Sequence, residues 1–175
     1  ENWKRDEAEI KELFNIFRIG LNTLAIKLVS KGARFRLLGD INKFPKDIAQ
    51  KTLDLITKST GNHTITTTFA LNYGGRDEIV RAVKKIVSLG LKPEDVSEKV
   101  VSDNLDTAGV PDPDLIIRTG GEHRLSGFLP WQSVYAEYFF TPTLFPDFTP
   151  LQLDLALESF AKRDRRFGGD SATKK

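Results

Sequence analysis

Cysteine is absent from the 175 residues. That excludes disulfides and thiolate metal sites within the chain, and it fits a reducing compartment. A surplus of one charge is lacking too. The net charge is only +2, which does not suggest a general nucleic-acid role. No apolar run reaches the roughly 18 residues expected of a membrane span, and no signal peptide is visible. The patterns HExxH, GxxxxGKS/T, GxSxG and GxGxxG are all missing, so the chemistries they carry have no support. There is no internal repeat, linker or low-complexity segment. The chain opens Glu1-Asn2-Trp3 without an initiator methionine, and the expectation is a piece of a longer gene product.

What is present is a globular balance, 39% hydrophobic and 29% charged, in a chain long enough to bury one core. The expected organisation is one α/β domain over 1–169 with a disordered tail over 170–175. From Asp6 to about Ser30, apolar residues at Ile10, Leu13, Phe14, Phe17, Leu21, Leu24, Ala25 and Leu28 recur in steps of three and four. That spacing predicts a long amphipathic helix, with Gly32 placed to end it. Ala33 to Leu38 reads as a strand. Pro45 to Ser59 reads as a helix with proline near its start. The Thr- and Ile-rich run from Asn62 to Leu71 reads as a strand. Asn72 to Asp77 reads as a turn before a helix over Glu78 to Leu89, which Gly90 ends. Pro93-Glu-Asp begins a short helix, and Leu115 to Ile117 is the next strand. Thr149 and Pro150 suit the cap and first position of a last helix, running to about Lys162. Strands alternating with helices imply right-handed crossovers and a parallel sheet.

Chemistry concentrates where strands run into polar loops. The apolar run from Leu115 leads into Arg118, Gly120, Gly121, His123, Arg124 and Ser126. Arginine offers a charged planar fork that matches phosphate oxygens, and glycine lets backbone approach a ligand. Asn72-Tyr-Gly-Gly-Arg76 and Glu1-Asn-Trp-Lys-Arg5 occupy comparable junctions. In a parallel sheet the three can converge on one edge, which makes phosphate binding the better reading. Glu137 stands among the aromatics Tyr135, Tyr138, Phe139 and Phe140. A carboxylate there wants a partner, and Mg²⁺, which favours one carboxylate plus substrate phosphates, is a candidate.

Taken in order, Glu1-Asn-Trp-Lys-Arg5, Asn72-Tyr-Gly-Gly-Arg76, Ile117-Arg-Thr-Gly-Gly-Glu-His-Arg-Leu-Ser126, Trp131-Gln, Tyr135-Ala-Glu137, Phe145-Pro-Asp-Phe148 and Arg165-Arg-Phe-Gly168 resemble the cis-prenyltransferases, in particular the bacterial undecaprenyl diphosphate synthases. The resemblance covers essentially the whole chain. It implies a parallel central sheet flanked by helices, and sequential addition of isopentenyl diphosphate to an allylic diphosphate such as farnesyl diphosphate. It implies catalytic roles for Asn2 and Arg5, with Asn2 assisting proton removal, and substrate contacts from Glu1, Trp3, Arg118, Arg124, Leu125, Ser126 and Gly168. It implies Mg²⁺ on Glu137, with His123 able to contribute. It also implies a homodimer, with Glu137 and Gly168 reaching towards a partner subunit. Phe14, Phe17, Leu21 and the strand from Ile65 to Phe69 are candidates to line a hydrocarbon tunnel, with Ile65 limiting chain length.

The family's first segment, Asp-Gly-Asn-Gly-Arg-Trp with its catalytic aspartate and first strand, does not occur in this sequence. The expectation is that the piece alone is inactive and poorly folded, with an exposed strand edge that invites aggregation. Two other function classes compete: a non-catalytic partner subunit of a heteromeric prenyltransferase, and a generic phosphate-binding α/β module. A cytoplasmic enzyme close to the membrane that receives its product is the expected setting.

Overall fold

A computed structural model describes residues 6–163. The chain divides into two compact units, 1–107 and 108–175.

The first unit opens with an almost continuous helix. Helix α1 (Glu7–Gly20) is capped by Asp6, whose carboxylate accepts from the N–H of Ala8 at 3.0 Å. Glu7 and Glu9 in the first turn and Arg18 in the last complement the helix dipole. A π-helical turn over Leu21–Ala25 joins it to α2 (Ile26–Ser30). The wider turn lets Leu21 and Ala25 both point inward, while Leu13 and Leu24 of the expected stripe lie outward. Gly32 follows at φ +88, a conformation that suits glycine. Strand β1 (Ala33–Leu38), helix α3 (Lys46–Lys58) and strand β2 (Ile65–Ala70) then form one β-α-β passage. The strands pair in parallel, with Ala33 opposite Ile65 and Leu38 opposite Ala70.

Leu21, Ala25, Phe35, Ile48 and Leu55 form the core of this unit, and Phe14, Phe17, Leu28, Val29, Phe44 and Ile56 pack on it. Burying each large side chain is worth about 1.5–3 kcal/mol. Phe14 and Phe17 lean on the Phe44 ring, with centroids 5.5 and 6.0 Å apart. These residues therefore serve the core. Ile65 instead is 60% exposed. The helical stretch Glu7–Ser30 is long and apolar enough, by length and composition, to cross a membrane, although no single run in it is unbroken. Here its inward face supplies the core.

Helix α4 (Gly75–Ser88) starts three residues earlier than the sequence pattern suggests. Gly75 is buried and the glycine pair enters the helix directly, so the expected turn shrinks to Asn72, Tyr73 and Gly74. A 3₁₀ turn at Pro93–Asp95 and the short helix α5 (Glu98–Asn104) follow. The short helix expected from Pro93 is thus a 3₁₀ turn, and the α-helix begins five residues later, where too few apolar positions show a period. Ser97 caps it, accepting from the N–H of Val100 at 3.3 Å.

In the second unit, β3 (Leu115–Arg118) pairs in parallel with β4 (Glu137–Phe140). Helix α6 (Pro150–Ala161) ends the described chain. Thr149 takes the cap position but makes no side-chain cap; its carbonyl receives the N–H groups of Gln152 and Leu153 at 3.0 and 3.2 Å. Both sheets are parallel.

A part-buried polar network ties the carboxyl ends of β1 and β2. Glu78 is 1% exposed. Its carboxylate accepts from the Tyr73 hydroxyl at 2.5 Å and from the Asp106 N–H at 2.9 Å. Asp106 accepts twice from the Arg81 guanidinium, both at 2.6 Å, and from the Gly39 N–H at 2.8 Å. Gly39 has φ +94, and a Cβ there would lie 2.3 Å from the Leu71 carbonyl oxygen. Only glycine permits that approach.

Burial pushes the Asp106 carboxyl up, but the Arg81 and Gly39 hydrogen bonds outweigh it and the net shift is downward. A lowered carboxyl stabilises the fold above its unfolded value and loses that contribution as pH falls through the native one. Urea unfolding should therefore show stability falling below about pH 4. Asp106→Asn should remove this acid-sensitive share. Glu78→Ala, which strands the Tyr73 hydroxyl and a backbone donor, should cost about 2–4 kcal/mol, and Glu78→Gln less.

Candidate functional site

The crossover from β3 to β4 runs through residues 119–136 without a helix. A loop of that length in a compact unit is usually functional. Arg118, the last residue of β3, organises its first half. One guanidinium nitrogen donates to the Arg124 carbonyl and to the Ser126 hydroxyl, the latter at 3.1 Å. Ser126 is held in the left-handed region at φ +50, an uncommon conformation that clusters at functional sites. Gly120 and Gly121, at φ +89 and +79, point their N–H groups back at the carbonyls of Thr143 and Thr141, at 2.8 and 2.9 Å. The Thr143 hydroxyl donates to Gln152 on α6 at 2.8 Å. The loop is thus fastened to the segment after β4 by backbone, and closed on itself by one arginine.

Arg118, Arg124 and Ser126 come together on this loop. Arg124 is exposed, and its guanidinium pairs with Glu122. Leu125 is half-buried and its carbonyl receives the Phe128 N–H at 3.0 Å. The result is a polar rim at the carboxyl end of a parallel strand, where such sheets bind ligands, in which the Arg118 guanidinium meets the Ser126 hydroxyl while the Arg124 guanidinium turns to Glu122. A guanidinium fork beside a hydroxyl is suited to phosphate oxygens.

His123 and Glu137 do not meet. The His123 ring stacks on Phe140, with centroids 4.9 Å apart, and Phe140 in turn stacks on Tyr138. Phe140 lies opposite Arg118, at the carboxyl end of the sheet. Glu137 lies opposite Leu115, at the other end. Three residues of strand separate them, about 10 Å, and alternation sends their side chains to opposite faces. Glu137 is half-buried and accepts from Arg163 at 2.7 Å.

Among the described residues no group of three or more His, Cys, Asp or Glu stands ready for a metal. A lone carboxylate still fits one mode of binding, Mg²⁺ that arrives on substrate phosphates and needs a single protein oxygen. Glu137 is the residue that fits it. Asn2, Arg5, Glu1, Trp3 and Gly168 lie outside the described residues. The turn Asn72–Arg76 belongs to the first unit and Arg118–Ser126 to the second, each built as described. Arg163 escaped sequence reasoning; a basic residue just past a helix end is too common to stand out.

Removing the Arg118 guanidinium should free the loop. Arg118→Ala should speed amide exchange over residues 119–127 by about tenfold, the loss of one or two charge-assisted hydrogen bonds. Arg124→Ala, which removes only the exposed pair with Glu122, should leave exchange there nearly unchanged.

Residues 1–168 match the prenyltransferase family model for undecaprenyl diphosphate synthases. The chain is 44% identical over 169 residues to an isoprenyl transferase of Wolinella succinogenes, covering 97% of this chain and 73% of the relative. It is 41% identical over 175 residues to an isoprenyl transferase of Porphyromonas gingivalis, covering 98% and 69%. Lavandulyl diphosphate synthase from Lavandula x intermedia, solved in complex with dimethylallyl diphosphate, superimposes with a TM-score of 0.91 at 36% identity, over 95% of this chain and 74% of that one. A probable undecaprenyl diphosphate synthase from Campylobacter jejuni superimposes with a TM-score of 0.85 at 34% identity, over 95% and 78%.

Proposed function

Since the chain belongs to the undecaprenyl diphosphate synthase family of prenyltransferases, we propose that it acts in cis-prenyl transfer, condensing isopentenyl diphosphate units onto farnesyl diphosphate. The product in this reading is a long-chain polyprenyl diphosphate, undecaprenyl diphosphate, a precursor of cell-wall synthesis. The observation that carries the reading is the Arg118 hub, which gathers Ser126 and the Arg124 backbone on one exposed rim.

The chemistry asks for such a rim. The allylic C–O bond breaks and its electron pair leaves on diphosphate. The isopentenyl double bond supplies the pair for the new C–C bond, and a proton lost from the adjacent carbon sets the new double bond. Both diphosphates must be held side by side for the carbons to meet. Arg118, Arg124 and Ser126 hold the isopentenyl diphosphate in this reading, with Leu125 and Gly168 beside it. Guanidiniums on its phosphate oxygens fix the isopentenyl double bond where it can attack the allylic carbon. Glu137, reaching across the homodimer of this reading, would hold Mg²⁺, which would neutralise charge growing on the departing allylic diphosphate. Asn2 assists removal of the proton, and Arg5, Glu1 and Trp3 contact substrate. His123, stacked on Phe140, is the weaker candidate for the metal within one chain. The working unit is a homodimer in the cytoplasm, next to the membrane that takes up the lipid product.

Labelled isopentenyl and farnesyl diphosphates, with and without a chelator, followed by product sizing, test the reaction. The full-length protein should give polyprenyl product only without chelator. Arg124→Ala should raise the KM for isopentenyl diphosphate by about tenfold or more, the cost of a charge-assisted contact. An unchanged KM would remove Arg124 from the site. Isopentenyl diphosphate should raise the melting temperature by mass action while ATP does not, which separates this reading from a generic phosphate-binding module.

A further inference from the structure

Glu137 already has a cation. Arg163 Nη1 donates to its Oε2 at 2.7 Å, and Nη2 donates to the Tyr138 carbonyl at 3.2 Å. One guanidinium therefore spans the carboxylate and the neighbouring backbone at the amino end of β4. Arg163 is set in place by the end of α6, where its N–H bonds the Phe160 carbonyl at 3.0 Å. A half-buried carboxylate wants such a partner. His123, on the other face and at the other end of the strand, does not provide it.

We propose that Arg163 is an exchangeable counter-cation: it holds Glu137 while no metal is bound and gives the carboxylate up when a divalent cation arrives. This rests on the reading of Glu137 as the metal-binding carboxylate. Mg²⁺ needs its oxygen ligands at about 2.0–2.1 Å. A guanidinium that stays 2.7 Å from the same oxygen would face the ion across that short gap, so the two cations compete. The exposures decide whether exchange is permitted. The Arg163 and Glu137 side chains are 45% and 23% exposed, so water reaches the pair and it holds only weakly. A fully buried pair would lock the carboxylate, because breaking it would strand a charge. Arg163 is therefore a positioning residue. It keeps the Glu137 side chain in one orientation before the metal comes and lowers the apparent metal affinity as it does so.

The test is Mn²⁺ binding in the presence of isopentenyl diphosphate, followed by electron paramagnetic resonance, to the full-length protein and to its Arg163→Gln, Arg163→Lys and Glu137→Gln variants, with circular dichroism confirming the fold of each. Arg163→Gln should bind Mn²⁺ about two- to fivefold more tightly, the release of a partly exposed ion pair. Arg163→Lys, which restores a competing cation, should return close to the parent, and Glu137→Gln should bind markedly more weakly. Unchanged or weaker binding by Arg163→Gln, with Glu137→Gln weakened, overturns the exchange and leaves Glu137 as the ligand. Glu137→Gln binding as tightly as the parent overturns the reading of Glu137 itself. Failure of both the parent and Arg163→Gln to bind Mn²⁺ overturns the two together.

Discussion

Parallel pairing is the constraint from which the rest follows. Two parallel strands cannot be joined by a tight turn, so the chain must travel back before it can pair again. Between β1 and β2 the return is helix α3, and its inward residues Ile48 and Leu55 become core. Between β3 and β4 the return is residues 119–136, with no helix to satisfy its backbone. That loop must find other partners. It finds them in the Arg118 guanidinium, in carbonyls just past β4, and in left-handed conformations at Gly120, Gly121, Ser126 and Gly127. The same groups that close the loop are those a phosphate would call on. In the proposed reading, loop closure and ligand recognition both draw on Arg118 and Ser126.

The first unit meets the end of its strands differently. Buried charge is costly, and well-packed apolar residues would often serve stability as well. Yet Glu78, Asp106 and Arg81 are kept, each satisfied, at the carboxyl ends of β1 and β2. What apolar residues could not do is name which backbone N–H goes where. Asp106 takes the Gly39 N–H, and Glu78 takes that of Asp106 itself. Two loops far apart in sequence are thereby set in one register. The close approach of Gly39 to the Leu71 carbonyl depends on that register.

Much of this was legible in the residues, for reasons that can be named. Strand β1 was read at its true ends because Gly32 and Gly39 bracket a run dense in apolar residues. The long helix was read from its spacing, but the π turn was not. A step of four from Leu21 to Ala25 is also ordinary α-helix, so sequence alone could not show that Leu24 would be turned outward. Gly74-Gly75 was read as a turn because glycine usually breaks helices. It opens one instead, with Gly75 buried in its first turn. Helix α5 left no period to read. Arg118, Arg124 and Ser126 stand out as a group because they are close in sequence. His123 and Glu137 were paired in the reading because both suit a metal. Their separation depends on the register of β3 against β4, which no local pattern carries.

That register also bears on how charge is managed in the second unit. The two ends of the β3–β4 pair are electrically unlike. At the carboxyl end, Arg118 spends its hydrogen bonds on a carbonyl and a hydroxyl, so it keeps its full positive charge for an incoming anion. At the amino end, Glu137 is neutralised by Arg163 before any ligand comes. In the proposed reading, a free carboxylate there would repel a diphosphate, and a bare arginine there would compete with a metal ion accompanying it. Pairing the two removes both penalties at the cost of a weak, water-exposed ion pair. In the proposed reading, the Arg118 end awaits the anion and the Glu137–Arg163 contact is loose enough to yield. An electrostatic arrangement of that kind favours an anion that brings its own cation over a bare anion or a bare metal.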